Sequence, residues 1–281
     1  MNKIIHIVGA GGTAGIGMTR CLNKTKGLKI TGHDTSEYAE NMAECEISEP
    51  WEADMVIPVP DAAVNSKYGD SAVSFCPDQK QVILCQNKAR TAKVLGYLAP
   101  KTYWVRDVEG AGGAGAKMAS EFLPGANFSV EFVFFNGKRL ARFQKERISY
   151  LLKRKEMDVT HSGSSAVSVC RSDKHVNKVA EHALRKIAEH TKTPLHGFYG
   201  VDMKENENNE IKVTEINAGR LLTASYNYYS MTGYNLPLVG VCAFLGLPEP
   251  KLPPYPEGYG VLRQTDCIAK LVDPEVTRKW E

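Results

Sequence analysis

Residues 4–8 read Ile-Ile-His-Ile-Val and break directly into Gly9-Ala10-Gly11-Gly12-Thr13-Ala14-Gly15, ahead of a stretch carrying Met18, Cys21 and Leu22. A β-rich run that ends in glycines and passes into a helical pattern is a strand, a tight turn and a helix. That order commits the start of the chain to a parallel sheet covered by helices. Further short apolar runs at 29–32, 54–59 and 81–85 alternate with helix-like stretches and are expected to supply more strands. We place this amino-terminal unit at residues 1–85. With 281 residues in all, the remaining 86–281 is long enough for a second unit.

Beyond Cys85 the pattern changes. A short helix over 88–98 and a strand over 102–106 lead to a glycine loop at 110–115, then to two strands, 128–135 and 139–143, separated by Asn136-Gly137, a strong hairpin signal. Val176, Val179, Ala180, Ala183, Leu184, Ile187 and Ala188 fall on one helical face, with Asp173 as the expected cap. Strands at 198–203 and 210–217 flank the polar turn 204–209 and predict a second hairpin. A proline-rich stretch at 248–256 leads to a last strand near 261–264.

Composition narrows the function classes. Lys and Arg number 35 against 32 Asp and Glu, a net charge of +3, too small for the broad basic surface of a dedicated nucleic-acid binder. The seven cysteines are scattered and form no CxxC pair, which argues against a zinc site and for reduced thiols in the cytoplasm. The longest late apolar stretch, 236–247, contains Pro237 and falls short of the roughly 20 residues that span a bilayer, so no membrane partner is expected.

Three constellations could carry chemistry. Glu215 and Asn217, two residues apart on a strand, must share a face, and Asp202 on the partner strand can join them. Two carboxylates and an amide oxygen, with no His or Cys beside them, suit Mg²⁺, although a solvated hairpin face would read the same way. The loop 110–117 offers uncluttered backbone N–H groups for phosphate oxygens, or is a linker. It is not a Walker loop, because Ala116 rather than Lys follows Gly115. The turn at 9–14, with Asp34 near the end of the second strand, fits a relaxed dinucleotide pattern, and taken alone it suggests NAD.

In order, these pieces resemble the ATP-grasp superfamily, most closely the carbamoyl-phosphate synthase large-chain type. Cys85-Gln86-Asn87-Lys88 through Leu98 resembles the entry helix of that family, and Trp104-Val105-Arg106 running into GAGGAG resembles its Val-Arg strand and phosphate-covering loop. Glu121-Phe122-Leu123-Pro124-Gly125 is similar to its adenine-contacting hinge, and 158–165 to its Gly-Val-His-Thr-Gly-Asp-Ser stretch. Asp202 followed by Glu215-Ile216-Asn217-Ala218-Gly219-Arg220 resembles its strand acids and Glu-x-Asn-x-Arg signature, with Thr232-Gly233-Tyr234-Asn235-Leu236-Pro237 beyond.

The resemblance implies an α/β protein: a Rossmann-like preATP-grasp domain at 1–85, then an ATP-grasp fold at 86–281 with a lid reduced to about 100–125. It implies an ATP-dependent carboxylate–amine ligase working through an acyl phosphate, with ATP and Mg²⁺ (or Mn²⁺), small-molecule carboxylate and amine substrates, and room for a homodimer. Asp202, Glu215 and Asn217 would hold metal. Lys88, Arg106, Gly112, Gly113, Gly115, Glu121, Phe122, Leu123 and Asn127 would bind nucleotide, with Asn127 standing where many members carry an acid for the ribose. Arg220, Arg106 and Asn217 would serve catalysis, and His161, Gly163 and Gly11 the substrate. Gly219 adds one residue before Arg220 relative to the family pattern. The alternatives are a bicarbonate-activating, carbamoyl-phosphate-synthase-like enzyme, an NAD(P)-dependent oxidoreductase using 9–34, and an ATP-binding regulator without turnover. Without a glutaminase or second synthetase half in these residues, carbamoyl phosphate synthesis from glutamine is not expected of them alone.

Overall fold

The computed structural model of the chain describes residues 2–59, 61–105, 117–150, 165–219, 221, 226–264 and 267–280. In the first unit β1 (Lys3–Val8) lies between β2 (Leu28–His33) and β4 (Met55–Pro58), with β3 (Glu46–Ile47) outside β2, all parallel. Gly9, at φ +83°, turns the chain from β1 into α1 (Thr13–Leu22), and its amide donates to the carbonyl of His33. Gly15 allows the close approach of that helix: a Cβ there would stand 2.1 Å from the carbonyl oxygen of Gly9. Two single-turn helices, α2 (Glu37–Glu40) and α3 (Asp61–Val64), follow β2 and β4.

The run at 81–85, expected as a strand, is instead the middle of α4 (Gln79–Gln86). Asp78 caps that helix by accepting from the amide of Lys80 at 2.8 Å, and Gln81, Val82, Leu84 and Cys85 are buried while Ile83 is exposed. A short apolar run fits strand and buried helix equally, so the cap at its start decides. Helix α4 makes contacts far along the chain. The Tyr199 hydroxyl donates to Gln81 Oε1 at 2.5 Å, and Gln81 Nε2 donates to the Thr193 carbonyl. Helix α5 (Lys88–Leu95) follows at once, capped by Asn87.

A two-stranded sheet of β5 (Thr102–Val105) and β6 (Lys117–Ser120) precedes β7 (Asn127–Phe135) and β8 (Lys138–Tyr150). The Asn136-Gly137 turn between the last two has φ of +47° and +82°, the left-handed pair that matches strand twist. Then come β9 (Ser165–Cys170), α6 (Lys174–Thr191), β10 (Gly197–Glu205), β11 (Ile211–Ala218), α7 (Tyr226–Ser230), α8 (Leu236–Phe244), β12 (Gly260–Gln264), β13 (Cys267–Val272) and α9 (Pro274–Thr277). Seven of the strands form one antiparallel sheet in the order β11-β10-β7-β8-β9-β12-β13.

That sheet has two unlike faces. On one, Phe128, Val130, Phe132, Tyr199, Val201, Met203, Val213 and Ile216 form a continuous core with α4, α5 and α6. On the other, Phe143, Val133 and Phe198, with Cys170 and Val261 towards β9 and β12, join a second core with α1, α7, α8 and the parallel sheet. The rest of that face is polar. Helix α6 anchors the first core through Asp173, whose Oδ1 accepts from the amides of His175 and Val176 at 2.6 and 2.9 Å. Asp173→Ala should therefore lower unfolding free energy by about 1 kcal/mol in a denaturant titration. An unchanged midpoint would show that the cap contributes nothing.

Candidate active site

The polar face is built by three rows of residues that cross four strands at matched register. In the middle row Lys145 on β8 pairs with Ser129 on β7, Ser129 with Asp202 on β10, and Asp202 with Glu215 on β11. On one side lie Arg147, Asn127, Lys204 and Lys212; on the other lie Phe143, Glu131, Gly200 and Asn217. Opposed residues of an antiparallel pair share a face, so Asp202, Glu215 and Asn217 do project together.

A register shift makes this possible. Asp202 pairs with Glu215 but Met203 pairs with Val213, leaving Thr214 as the extra residue of a bulge. Val213 and Ile216 both enter the apolar core, so strict alternation through 213–216 would be impossible. The extra residue resets the phase, sending Glu215 and Asn217 to the polar side. Thr214 Oγ1 closes the bulge by donating to the Asp202 carbonyl at 3.1 Å.

The carboxylates are held by the protein's own cations. Asp202 Oδ1 accepts from Ser129 Oγ at 2.7 Å and from the Arg147 guanidinium at 2.5 Å, and Lys88 Nζ stands 3.5 Å from Glu215 Oε2. The Arg147–Asp202 pair is largely buried, with 11% and 13% of the side chains exposed, whereas Lys88 is exposed and Glu215 partly buried. Lys145 and Glu131 are wholly enclosed 3.7 Å apart, and neither Glu131 oxygen accepts a hydrogen bond. Burial pushes the Glu131 carboxyl up, against the pull of Lys145, and pushes the Lys145 ammonium down, against the pull of Glu131.

Among the described residues no three His, Cys, Asp or Glu side chains cluster closely enough to hold a metal. A divalent ion would therefore draw on Asp202, Glu215 and the Asn217 amide together, a hard-oxygen set that fits Mg²⁺ by its chemistry. Nucleotide fit shows at the other end of the face. Asn127 Oδ1 and Glu121 Oε1 are buried acceptors without partners, the condition a sugar hydroxyl or an exocyclic amine would relieve. The hinge at 121–126 is pinned to β10: the amides of Gly125 and Ala126 donate to the carbonyl and side chain of Glu205, each at 3.1 Å. Leu123 is buried, Phe122 is half exposed with Lys204 Nζ 5.6 Å from its ring centre, and a groove of about 1100 Å³ opens beside them, bordered by Asn87, Lys101 and Lys212.

Of the residues singled out by sequence, the structure brings together Lys88, Asp202, Glu215 and Asn217, and places Glu121, Phe122, Leu123 and Asn127 along the hinge end. Arg106, Gly112, Gly113, Gly115, His161, Gly163 and Arg220 lie outside the described residues. Gly11 lies in the turn between β1 and α1. Its amide donates to Asp34 Oδ2 at 3.2 Å, and a Cβ on it would fall 1.4 Å from the carbonyl oxygen of Ala39, so the chain at Ala39 packs directly on the turn. Sequence reasoning missed Ser129, Glu131, Lys145 and Arg147. The signal was there: Asn127, Ser129 and Glu131 are polar at every second position of a strand otherwise made of Phe and Val.

The Arg147 guanidinium occupies Asp202 in place of any added cation. Arg147→Ala should thus strengthen the Mn²⁺- or Mg²⁺-induced rise in thermal midpoint measured without nucleotide, since ligand binding to the folded state raises its stability. A smaller metal response in the variant would show that Asp202 is not a metal donor.

The ATP-grasp domain family matches residues 76–224. No curated protein sequence matches the chain. Among solved structures, it is similar to the L-amino acid ligase of Bacillus licheniformis, at 12% identity over 92% of this chain and 79% of that one, with a TM-score of 0.60. It is likewise similar to N5-carboxyaminoimidazole synthetase of Staphylococcus aureus in complex with ADP, at 16% identity over 93% and 83%, with a TM-score of 0.66. Phosphoribosylglycinamide synthetase of Anaerococcus prevotii matches at 12% over 93% and 80%, with a TM-score of 0.62. These likenesses are of fold, and the family match spans more than half of the chain; the chain belongs to the ATP-grasp family.

Proposed function

We propose that the protein is an ATP-dependent carboxylate–amine ligase that activates a small carboxylate as an acyl phosphate and releases ADP and phosphate. The observation that carries this reading is the middle row of the polar face, Lys145, Ser129, Asp202 and Glu215, which sets two acids between cations beside a hinge with two orphaned acceptors. Similar folds named as an amino acid ligase and as synthetases, one of them in complex with ADP, support it.

In this reading Asn127 takes a ribose hydroxyl and residues 121–123 border the base. Asp202, Glu215 and Asn217 would hold Mg²⁺, which when bound supplies charge neutralisation for the phosphate oxygens. The chain's own part is positioning and electrostatics, the two things phosphoryl transfer depends on. Lys88 and Arg147 stand at opposite ends of the acidic row and balance it, so an incoming polyanion meets cations already in place. Arg106 and the backbone of Gly112, Gly113 and Gly115 would cover the phosphates, Arg220 would face the acyl phosphate, and His161 and Gly163 would receive the acceptor's carboxylate. Attack of the amine nitrogen on the acyl carbon forms the new carbon–nitrogen bond and expels phosphate, and the amine's proton leaves to solvent or to a neighbouring base.

Glu215→Gln and Asp202→Asn should each lower ATP-dependent phosphate release by about 100-fold or more while the fold persists, as judged by the far-ultraviolet circular dichroism spectrum. The direct test incubates the protein with Mg²⁺, ATP and a panel of amino acids, with and without bicarbonate, reading nucleotide products and new masses. ADP with an amide or peptide product is the expected result, and bicarbonate-dependent ADP formation would redirect the reading to carboxyphosphate chemistry. AMP as the nucleotide product would rule out the acyl phosphate.

A further inference from the structure

Glu131 and Lys145 are the only fully enclosed ion pair among the described residues, and the geometry of the pair is poor for a brace. A buried pair offsets the cost of dehydrating two charges only when contact is close and the remaining lone pairs are hydrogen-bonded. Here Nζ stands 3.7 Å from Oε1, beyond hydrogen-bond length, and both carboxylate oxygens lack any hydrogen bond. Residues of similar volume without charge would extend the neighbouring core, which begins at Phe143, directly across from Glu131.

The position of the pair is more telling. Glu131 lies in the row that ends in Asn217, with side-chain-free Gly200 between them, and Lys145 ends the row that carries Asp202 and Glu215. Strands in a sheet are about 4.8 Å apart, so the Lys145 backbone lies roughly 10 Å from that of Asp202, with only the short Ser129 side chain intervening. A lysine side chain can bridge most of that distance. Arg147, the nearest cation on β8, is already bound to Asp202.

We infer that Glu131 is a positioning residue for the proposed ligase: it keeps the Lys145 ammonium fixed and charged beside the Asp202–Glu215 row, where its field offsets the negative charge of the transferred phosphoryl group and of the acyl phosphate it forms. The inference rests on the proposed function. A cation fixed in an enclosed site before reaction stabilises developing negative charge without reorganising. Left alone in that enclosure a lysine would shed its proton, because burial favours the neutral amine, and the facing carboxylate opposes this. Asp202 adds to that opposition, while Arg147 and Arg263 work against it.

The test compares wild type with Glu131→Gln, Glu131→Asp, Lys145→Met and the double variant Glu131→Gln/Lys145→Met, measuring thermal midpoint together with kcat and KM for ATP-dependent phosphate release. Glu131→Gln should lower kcat by about 100-fold with KM for ATP changed by less than about threefold, and Glu131→Asp should retain more of the rate. The double variant, free of this enclosed pair, should melt no lower than wild type and still show the loss in kcat. That outcome also decides the matter if either single variant fails to fold. A double variant with the wild-type kcat would overturn the inference, reducing the pair to a brace and leaving the ligase reading intact. A wild type that binds ATP yet releases no phosphate with any acceptor would instead overturn the ligase reading, and this inference with it.

Discussion

One sheet face that is allowed to remain polar is the constraint on which the rest of this structure depends. Burying a polar side chain without a partner costs on the order of 1–3 kcal/mol, so a wide sheet normally covers both faces with apolar residues or leaves one to water. Here β7 and β10 are central strands, flanked on both edges, and their first face is wholly apolar against α4, α5 and α6. Their second face carries Asn127, Ser129, Glu131 and Asp202, which only a ligand site or a set of internal ion pairs can accommodate. The protein has the ion pairs, Arg147 with Asp202 and Lys145 with Glu131, and keeps acceptors at Asn127 and Glu121 unsatisfied. A face that served stability alone would have satisfied them.

Strand alternation alone could not have built that face. A strand that delivers Val213 and Ile216 to one core and Glu215 and Asn217 to the opposite side violates period two, and the Thr214 bulge is what reconciles them. The bulge sits beside Asp202, so the same local distortion that turns Glu215 also sets its height against the partner acid. Placing the two carboxylates directly opposite one another brings like charges close, an arrangement unfavourable in itself. Arg147 and Lys88 relieve it from the two sides.

Much of this was legible in the sequence where the signal is local. Asn136-Gly137 fixes a hairpin because only residues that tolerate positive φ fit that turn, and Asp173 announces α6 because its carboxylate has amides to cap. Glu215 and Asn217 could be paired with Asp202 because a two-residue spacing and a hairpin are enough to define one face. The strand expected at 81–85 failed since helix and strand share the same short apolar signature there, and what makes it helical is the Asp78 cap and the reach of Gln81 to Tyr199, a contact across 118 positions. Arg147 and Lys145 were hidden for the same reason: their partners lie on other strands, and nothing within β8 says which acids they will meet.

The amino-terminal glycine turn shows how a local motif can be read correctly as structure and still mislead about chemistry. Gly9, Gly11 and Gly15 do what glycines do in a strand-to-helix turn, permitting a positive φ and two close backbone approaches. The Gly11 amide is committed to Asp34, and the chain at Ala39 fills the space above Gly11. What the turn achieves is to launch α1 against α7 and α8, where Asn235 Nδ2 donates to the Cys21 carbonyl at 2.6 Å and Cys21, Met18, Tyr226 and Leu236 share the second core. That core also contains Phe143, the residue across from Glu131 at the edge of the polar face. The parallel sheet thus helps to enclose the buried end of the polar face, and the glycine turn contributes to the candidate site through packing.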